Sequence, residues 1–182
     1  MTTDPVEINA GAWYLRALRA DDRIDDRPAV LASCLDPEIR RWRHRPPPDP
    51  AEADAYVRQR AVDWARDRRL TWAVCGLTGE MLGEVELTGL DLGMGSAEAA
   101  CWALPAGRGR GMITTAVSAM LRFGFGGLGL RRVEYQWAEG NAASARVAEK
   151  CGFRYEGRKR SAWVADGRRL DVVVCGRLAD DD

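Results

Sequence analysis

Apolar positions along the chain recur at every second residue in some stretches and at every third and fourth in others, and this change of period divides it into strands and helices. Residues 70–77 are apolar on both parities, which predicts a strand buried on both faces. After the turn Thr78-Gly79-Glu80, residues 81–90 alternate. Val85 and Leu87 take one face and Glu84 and Glu86 the other, so this stretch reads as an antiparallel partner whose carboxylates meet solvent. A glycine-rich connection over 91–96 leads to a third, mostly apolar strand over 97–104. Ile113, Ala116, Val117, Met120 and Leu121 then recur at helical spacing, in a helix ending in Gly124, Gly126 and Gly127. Residues 130–137 return to strand, with Val133, Tyr135 and Trp137 on one face. Asn141 has the place of an N-cap and Gly152 stands just past the end of its helix. Residues 153–164 and 169–177 form a hairpin around Asp166-Gly167.

The first third of the chain is less regular. A strand is predicted over 13–18, a short helix over 27–35 and another from Asp36-Pro37. Pro46, Pro47 and Pro48 cannot continue a helix, and Asp49 or Pro50 opens a longer one to about residue 68. Ala55, Val57, Ala61, Val62 and Trp64 supply much of its apolar content. The order is one strand, a helical insertion, three strands, helix, strand, helix and hairpin. It describes an α+β sheet with helices on both faces and shows no repeat or internal linker.

Composition narrows the class. With 182 residues, 46% of them apolar, the chain suits a single domain with a sizeable core. Lys+Arg and Asp+Glu are equal at 27 each, so no global charge draws it to nucleic acid or membrane. Its five cysteines, 34, 75, 101, 151 and 175, are odd in number and form no C-x-x-C pair. They read as reduced core thiols, with no disulfide frame or metal site. No signal-peptide pattern opens the sequence and no apolar run approaches ~18 residues, so a cytoplasmic protein is expected.

The chemistry concentrates in Leu104-Pro105-Ala106-Gly107-Arg108-Gly109-Arg110-Gly111-Met112-Ile113, between a strand and a helix start. Glycines remove side chains where a ligand would approach the backbone. The free N–H groups of a first helical turn, with the helix dipole, favour an anion there, and Arg108 and Arg110 add positive charge. The pattern suits a pyrophosphate. A Walker loop would need Lys and then Ser or Thr after its last glycine, where Met112-Ile113 stand. A dinucleotide fingerprint from Gly109 would need glycine or alanine at Thr114. A glycine-rich turn that binds nothing is the remaining alternative.

The loop resembles the acetyl-CoA loop of the GNAT acyltransferases, Arg/Gln-x-x-Gly-x-Gly/Ala: Arg108 and Gly111 match, and Ile113 departs at the last position. A second block, Asn141-Ala142-Ala143-Ser144 through Lys150-Cys151-Gly152-Phe153 to Glu156-Gly157, is similar to a segment of the branch that acetylates the N-termini of ribosomal proteins. The resemblance implies a mixed, mostly antiparallel sheet of about seven strands with helices on both faces. It implies a single domain over 12–178, preceded by a lead-in over 1–11 and followed by an acidic tail over 179–182. It implies acetyl-CoA, or a larger acyl-CoA, as cosubstrate, held by Trp102, Ala103, Leu104, Arg108, Gly109, Arg110, Gly111, Met112, Ile113, Asn141 and Ser144.

The implied reaction is direct attack of a primary amine on the thioester. The partners expected are therefore an acyl-CoA and an amine acceptor, either a protein N-terminus or a small molecule. A homodimer is left open, and neither nucleic acid nor membrane is expected. Ser144, in the first turn after Asn141, is the group expected to meet the departing thiolate. Asn141 reads as a cap, a contact to the pantetheine arm, or both. For the base, Glu98 on the strand feeding the loop is named, with Glu84, Glu86 and an ordered water chain as alternatives. Cys151 reads as core, since an acyl-cysteine would want a His partner and the one His, His44, sits in a basic segment. Arg40, Arg41, Arg43 and Arg45 around Trp42 fall in the insertion that the resemblance puts beside the acceptor. They would favour acceptors carrying carboxylates if they were not simply a solvated face. A small-molecule acetyltransferase for antibiotics or polyamines, an acyl-CoA sensor without turnover and a plain nucleotide-binding module are the rival functions.

Overall fold

The computed structural model describes residues 5–43 and 49–181. Strands β1 (Ile8–Ala10) and β2 (Trp13–Arg16) come first, then helices α1 (Arg27–Leu35), α2 (Pro37–Trp42) and α3 (Pro50–Ala65). Next are β3 (Arg69–Cys75), β4 (Met81–Asp91), β5 (Ser96–Ala103), α4 (Met112–Gly127), β6 (Arg132–Ala138) and α5 (Ala142–Lys150). The hairpin β7 (Arg154–Ala165) and β8 (Arg168–Leu178) closes the chain. The strands form one sheet in the order β1-β2-β3-β4-β5-β6-β8-β7. Every neighbouring pair is antiparallel except β5–β6, which is parallel and so needs the crossover that α4 provides.

The sheet has eight strands where about seven were expected. The extra one is β1, inside the expected lead-in. Its three residues are too few for a period to show, and it is fixed by tertiary contacts. Asn9 Oδ1 accepts the Gly11 N–H at 2.9 Å, and the Trp72 indole N–H donates to the Val6 carbonyl at 2.7 Å. The predicted proline break at 46–48 lies outside the described residues.

Alternation along β3 and β4 builds a core on each face. Leu70, Trp72, Val74, Val85 and Leu87 pack with Ala116, Val117, Met120 and Leu121 of α4. Ala73 and Cys75 turn the other way, toward Val30, Ala53 and Val57 of α1 and α3. Gly124 lies mid-helix, where glycine weakens a helix, because a Cβ there would come within 3.2 Å of Leu130. A bidentate pair, Arg16 to Asp26 at 2.7 and 2.8 Å, ties β2 to the start of α1 and is almost fully buried. Among the described residues β7 pairs only with β8, so its outer side is an edge of the sheet. Its register shifts between Lys159 and Trp163, where Ser161 has φ 51°.

Candidate active site

The parallel pair is short. β5 and β6 are in register only from Ser96↔Arg132 to Ala99↔Tyr135, yet β5 continues to Ala103 and β6 to Ala138. Beyond Ala99 the two strands are separate arms of a fork. The Leu104 N–H donates to the Leu82 carbonyl at 2.8 Å, so even-numbered main-chain groups of β5 face β4. Odd-numbered ones, at Cys101 and Ala103, therefore face the gap. Of the three strand-end residues singled out, Ala103 turns its main chain to the gap. Trp102 and Leu104 direct theirs to β4.

At the mouth of the fork a short 3-10 turn, Pro105–Gly107, leads into the glycine loop. Gly111 is the N-cap of α4 with φ 73°, in the left-handed region that favours glycine. The first bond of the helical ladder runs from the Thr115 N–H to the Gly111 carbonyl, 3.0 Å. The N–H groups of Met112, Ile113 and Thr114 thus lie ahead of the ladder, an arrangement able to receive an anion. No atom stands within 4 Å of where a Cβ on Gly109 or Gly111 would be, which leaves the space a phosphate needs. Both arginine side chains have partners within the molecule. Arg108 donates to the Ala103 carbonyl at 3.0 Å and to Asp36 at 2.6 Å, tying the loop to the N-cap of α2. The Arg110 guanidinium lies 4.8 Å over the Trp13 ring. Ile113 is half-buried against the larger core.

On the α5 side, Asn141 Oδ1 accepts the Ser144 N–H at 3.1 Å, so the cap is formed. The Ser144 hydroxyl lies 2.7 Å from the Tyr135 hydroxyl, which lies 3.2 Å from Cys101 Sγ. Tyr135 is 2% exposed, and burial pushes its phenol well above the ordinary value. Cys151 is buried, with its thiol on the Thr114 carbonyl and near Ser118, both at 3.5 Å.

The opposite face carries the carboxylates. Glu84, expected in solvent, is 1% exposed. Its Oε1 accepts the Tyr56 hydroxyl at 2.7 Å and the Trp102 indole N–H at 3.1 Å, while Oε2 has no partner among the described residues. Burial first, then the charge of Glu86, raises its carboxyl above the ordinary range. Strand alternation located the face of Glu84 but could not say that α3 covers it. Glu98 is half-buried and raised by burial and then by Glu134, its partner across the β5–β6 register. Glu84 pairs with Trp102, level with the open arms, whereas Glu98 lies just below the root of the fork.

Residues 14–154 match the family described as Acetyltransferase (GNAT) domain. This chain is a GNAT acetyltransferase. It is 33% identical over 133 residues to the Bacillus subtilis (strain 168) protein YdaF, provisionally named a ribosomal N-acetyltransferase; the match covers 71% of this chain and 73% of that one. Its fold is that of RimL, a ribosomal L7/L12 alpha-N-protein acetyltransferase solved with coenzyme A: TM-score 0.84, 22% identity, 97% of this chain and 100% of the other. It is likewise that of the microcin C7 self-immunity acetyltransferase MccE, solved with acetyl-CoA and AMP: TM-score 0.79, 17% identity, 92% of each chain.

Two arginines of the basic segment of this acetyltransferase, Arg41 and Arg43, are engaged within the molecule. Arg43 points inward, donating to Tyr56 at 2.7 Å and Ser33 at 3.1 Å, with its guanidinium over the Tyr56 and Trp102 rings. Arg41 pairs with Asp166 at 3.0 Å and lies over Trp42. Arg40 is exposed. His44 and Arg45 lie outside the described residues.

Proposed function

We propose that the chain moves an acetyl group from acetyl-CoA to the α-amine of a protein N-terminus by direct attack. The observation that carries the reading is the fork between β5 and β6, which has a hydroxyl on one face and carboxylates on the other. The names of YdaF and RimL support a protein acceptor. In this reading the pyrophosphate rests on the N–H groups of Met112, Ile113 and Thr114, and the acetyl thioester lies in the gap. Cys101 and Ala103, whose main chains face it, offer N–H groups to the developing oxyanion.

The amine comes from the α3 face and must be neutral to attack. An α-amine, with pKa about 8, reaches that state more readily than a lysine at about 10.4. Its proton leaves toward the carboxylates of Glu84, beside the open arms, and Glu98, at the root. The thiolate departs on the α5 face, where Ser144 stands. Residues 12–178 form the working domain in this proposal.

The test is an acceptor screen with free-thiol detection, setting N-terminal peptides beside lysine side-chain peptides, polyamines and aminoglycosides. Thiol release with an N-terminal peptide, and an acetyl group mapped to its α-nitrogen by mass spectrometry, is the expected result. A small amine as the best acceptor would reassign the substrate. Acetyl-CoA binding without thiol release from any amine would make the chain a sensor.

A further inference from the structure

Tyr135 is the last residue of β6 in register with β5, and its hydroxyl touches one arm of the fork and the helix that follows the other: Cys101 of β5 at 3.2 Å and Ser144 of α5 at 2.7 Å. Its ring is fixed by packing against Phe153, with centroids 5.2 Å apart, and by near-complete burial. Hydroxyls and thiols each carry one proton, so a chain of three such groups can run in two directions. In one, Ser144 donates to Tyr135 and Tyr135 to Cys101, and the serine proton is lost to the chain. In the other, Cys101 donates to Tyr135 and Tyr135 to Ser144, and the serine proton is free. A phenol is the stronger acid and an alkyl hydroxyl the more basic oxygen, so the shorter contact is better made with the phenol as donor.

We propose that Tyr135 is a positioning residue for the reaction: by donating to Ser144 it fills one lone pair of the serine and leaves the serine O–H directed into the gap. This rests on the reading of the chain as an acetyltransferase with Ser144 beside the leaving sulfur. In the step itself the amine lone pair forms the C–N bond. The C–S bond breaks and its electrons go to sulfur, which accepts a hydrogen bond from Ser144. The amine proton passes to the carboxylate side, and the CoA thiolate takes up a proton from water. Tyr135 keeps its own proton throughout. A buried phenolate would have no cation to balance it, since both its neighbours are neutral. It orients the donor and supplies no proton.

The experiment is a double-mutant cycle on Tyr135→Phe and Ser144→Ala, with the best acceptor from the screen. Tyr135→Phe keeps the ring and removes the hydroxyl. Its kcat should fall about tenfold, as for one lost hydrogen bond, with the KM for acetyl-CoA within about twofold of wild type. In the Ser144→Ala background it should cost nothing further, because the group it orients is gone. A purely packing role would lower kcat in both backgrounds alike. Should Tyr135→Phe not fold, Cys101→Ala removes the other hold on the phenol. It should give a smaller loss, also absent without Ser144. Unchanged kcat in Tyr135→Phe, or equal losses in both backgrounds, overturns the positioning role and leaves the acetyltransferase intact. No thiol release by wild type with any amine overturns both.

Discussion

At the scale of single residues, Gly111 and Glu84 make opposite demands. Gly111 must stay empty: Gly111→Asp should abolish acetyl-CoA binding by calorimetry while the fold persists, since a carboxylate would occupy the space beside the free N–H groups and repel the anion. Glu84 is a carboxyl held where water is scarce. Glu84→Gln should lower kcat about 100-fold, in the range of a lost general base, and by more than Glu98→Gln, which lies below the open arms. The same residue leaves a mark on stability. Its carboxyl is raised, so between the unfolded value of about 4.3 and the higher native one the folded state binds more protons than the unfolded chain. Stability contributed by this group therefore falls as pH rises through that window and is level above it. A melting series against pH should show this decline in wild type and a shallower one in Glu84→Gln, where Glu98, also raised, remains. These two residues also mark what can be read from a sequence. The need for glycine at a helix start is local, and so is the cap of Asn141. That Glu84 is covered by Tyr56, 28 positions away, is decided by tertiary packing. Arg108 shows the same divide: its charge is plain in the sequence, but its partner Asp36 lies 72 positions distant.

At the scale of elements, long periodic segments were legible and short ones were not. The hairpin of β3 and β4, helix α4 and the final hairpin follow from period and turn residues alone. β1 does not, having only three residues. The helical insertion is legible too, but its sequence leaves the arginines as either an acceptor-facing wall or a solvated face and does not reveal that Arg41 and Arg43 have partners within the molecule. The buried pair Arg16–Asp26 holds the insertion to the sheet and accepts a third bond, from the Arg19 N–H at 2.8 Å. Asp26→Ala would strand a guanidinium 5% exposed. The expected loss is about 3–5 kcal/mol of stability by urea titration. Asn141→Ala removes one cap and should cost about 1 kcal/mol.

Across the whole molecule, the sheet serves chemistry in its middle and has to end somewhere. One end is β1, too short to recruit a neighbour. The other is β7, a strand of twelve residues that, among the described residues, pairs only with β8. A flat strand of that length offers a template on which another copy can add, strand to strand. Here the edge is interrupted: Ser161 takes a left-handed conformation, the register slips beside it, and Arg158, Lys159 and Arg160 stand in succession before the kink. A copy seeking to pair would meet a bent ribbon and like charges. Replacing Arg160 by valine should therefore leave turnover near wild type at low concentration and bring on light scattering as the protein is concentrated. The sheet thus departs from regular pairing twice, at its rim beside Ser161 and at its centre beyond Ala99.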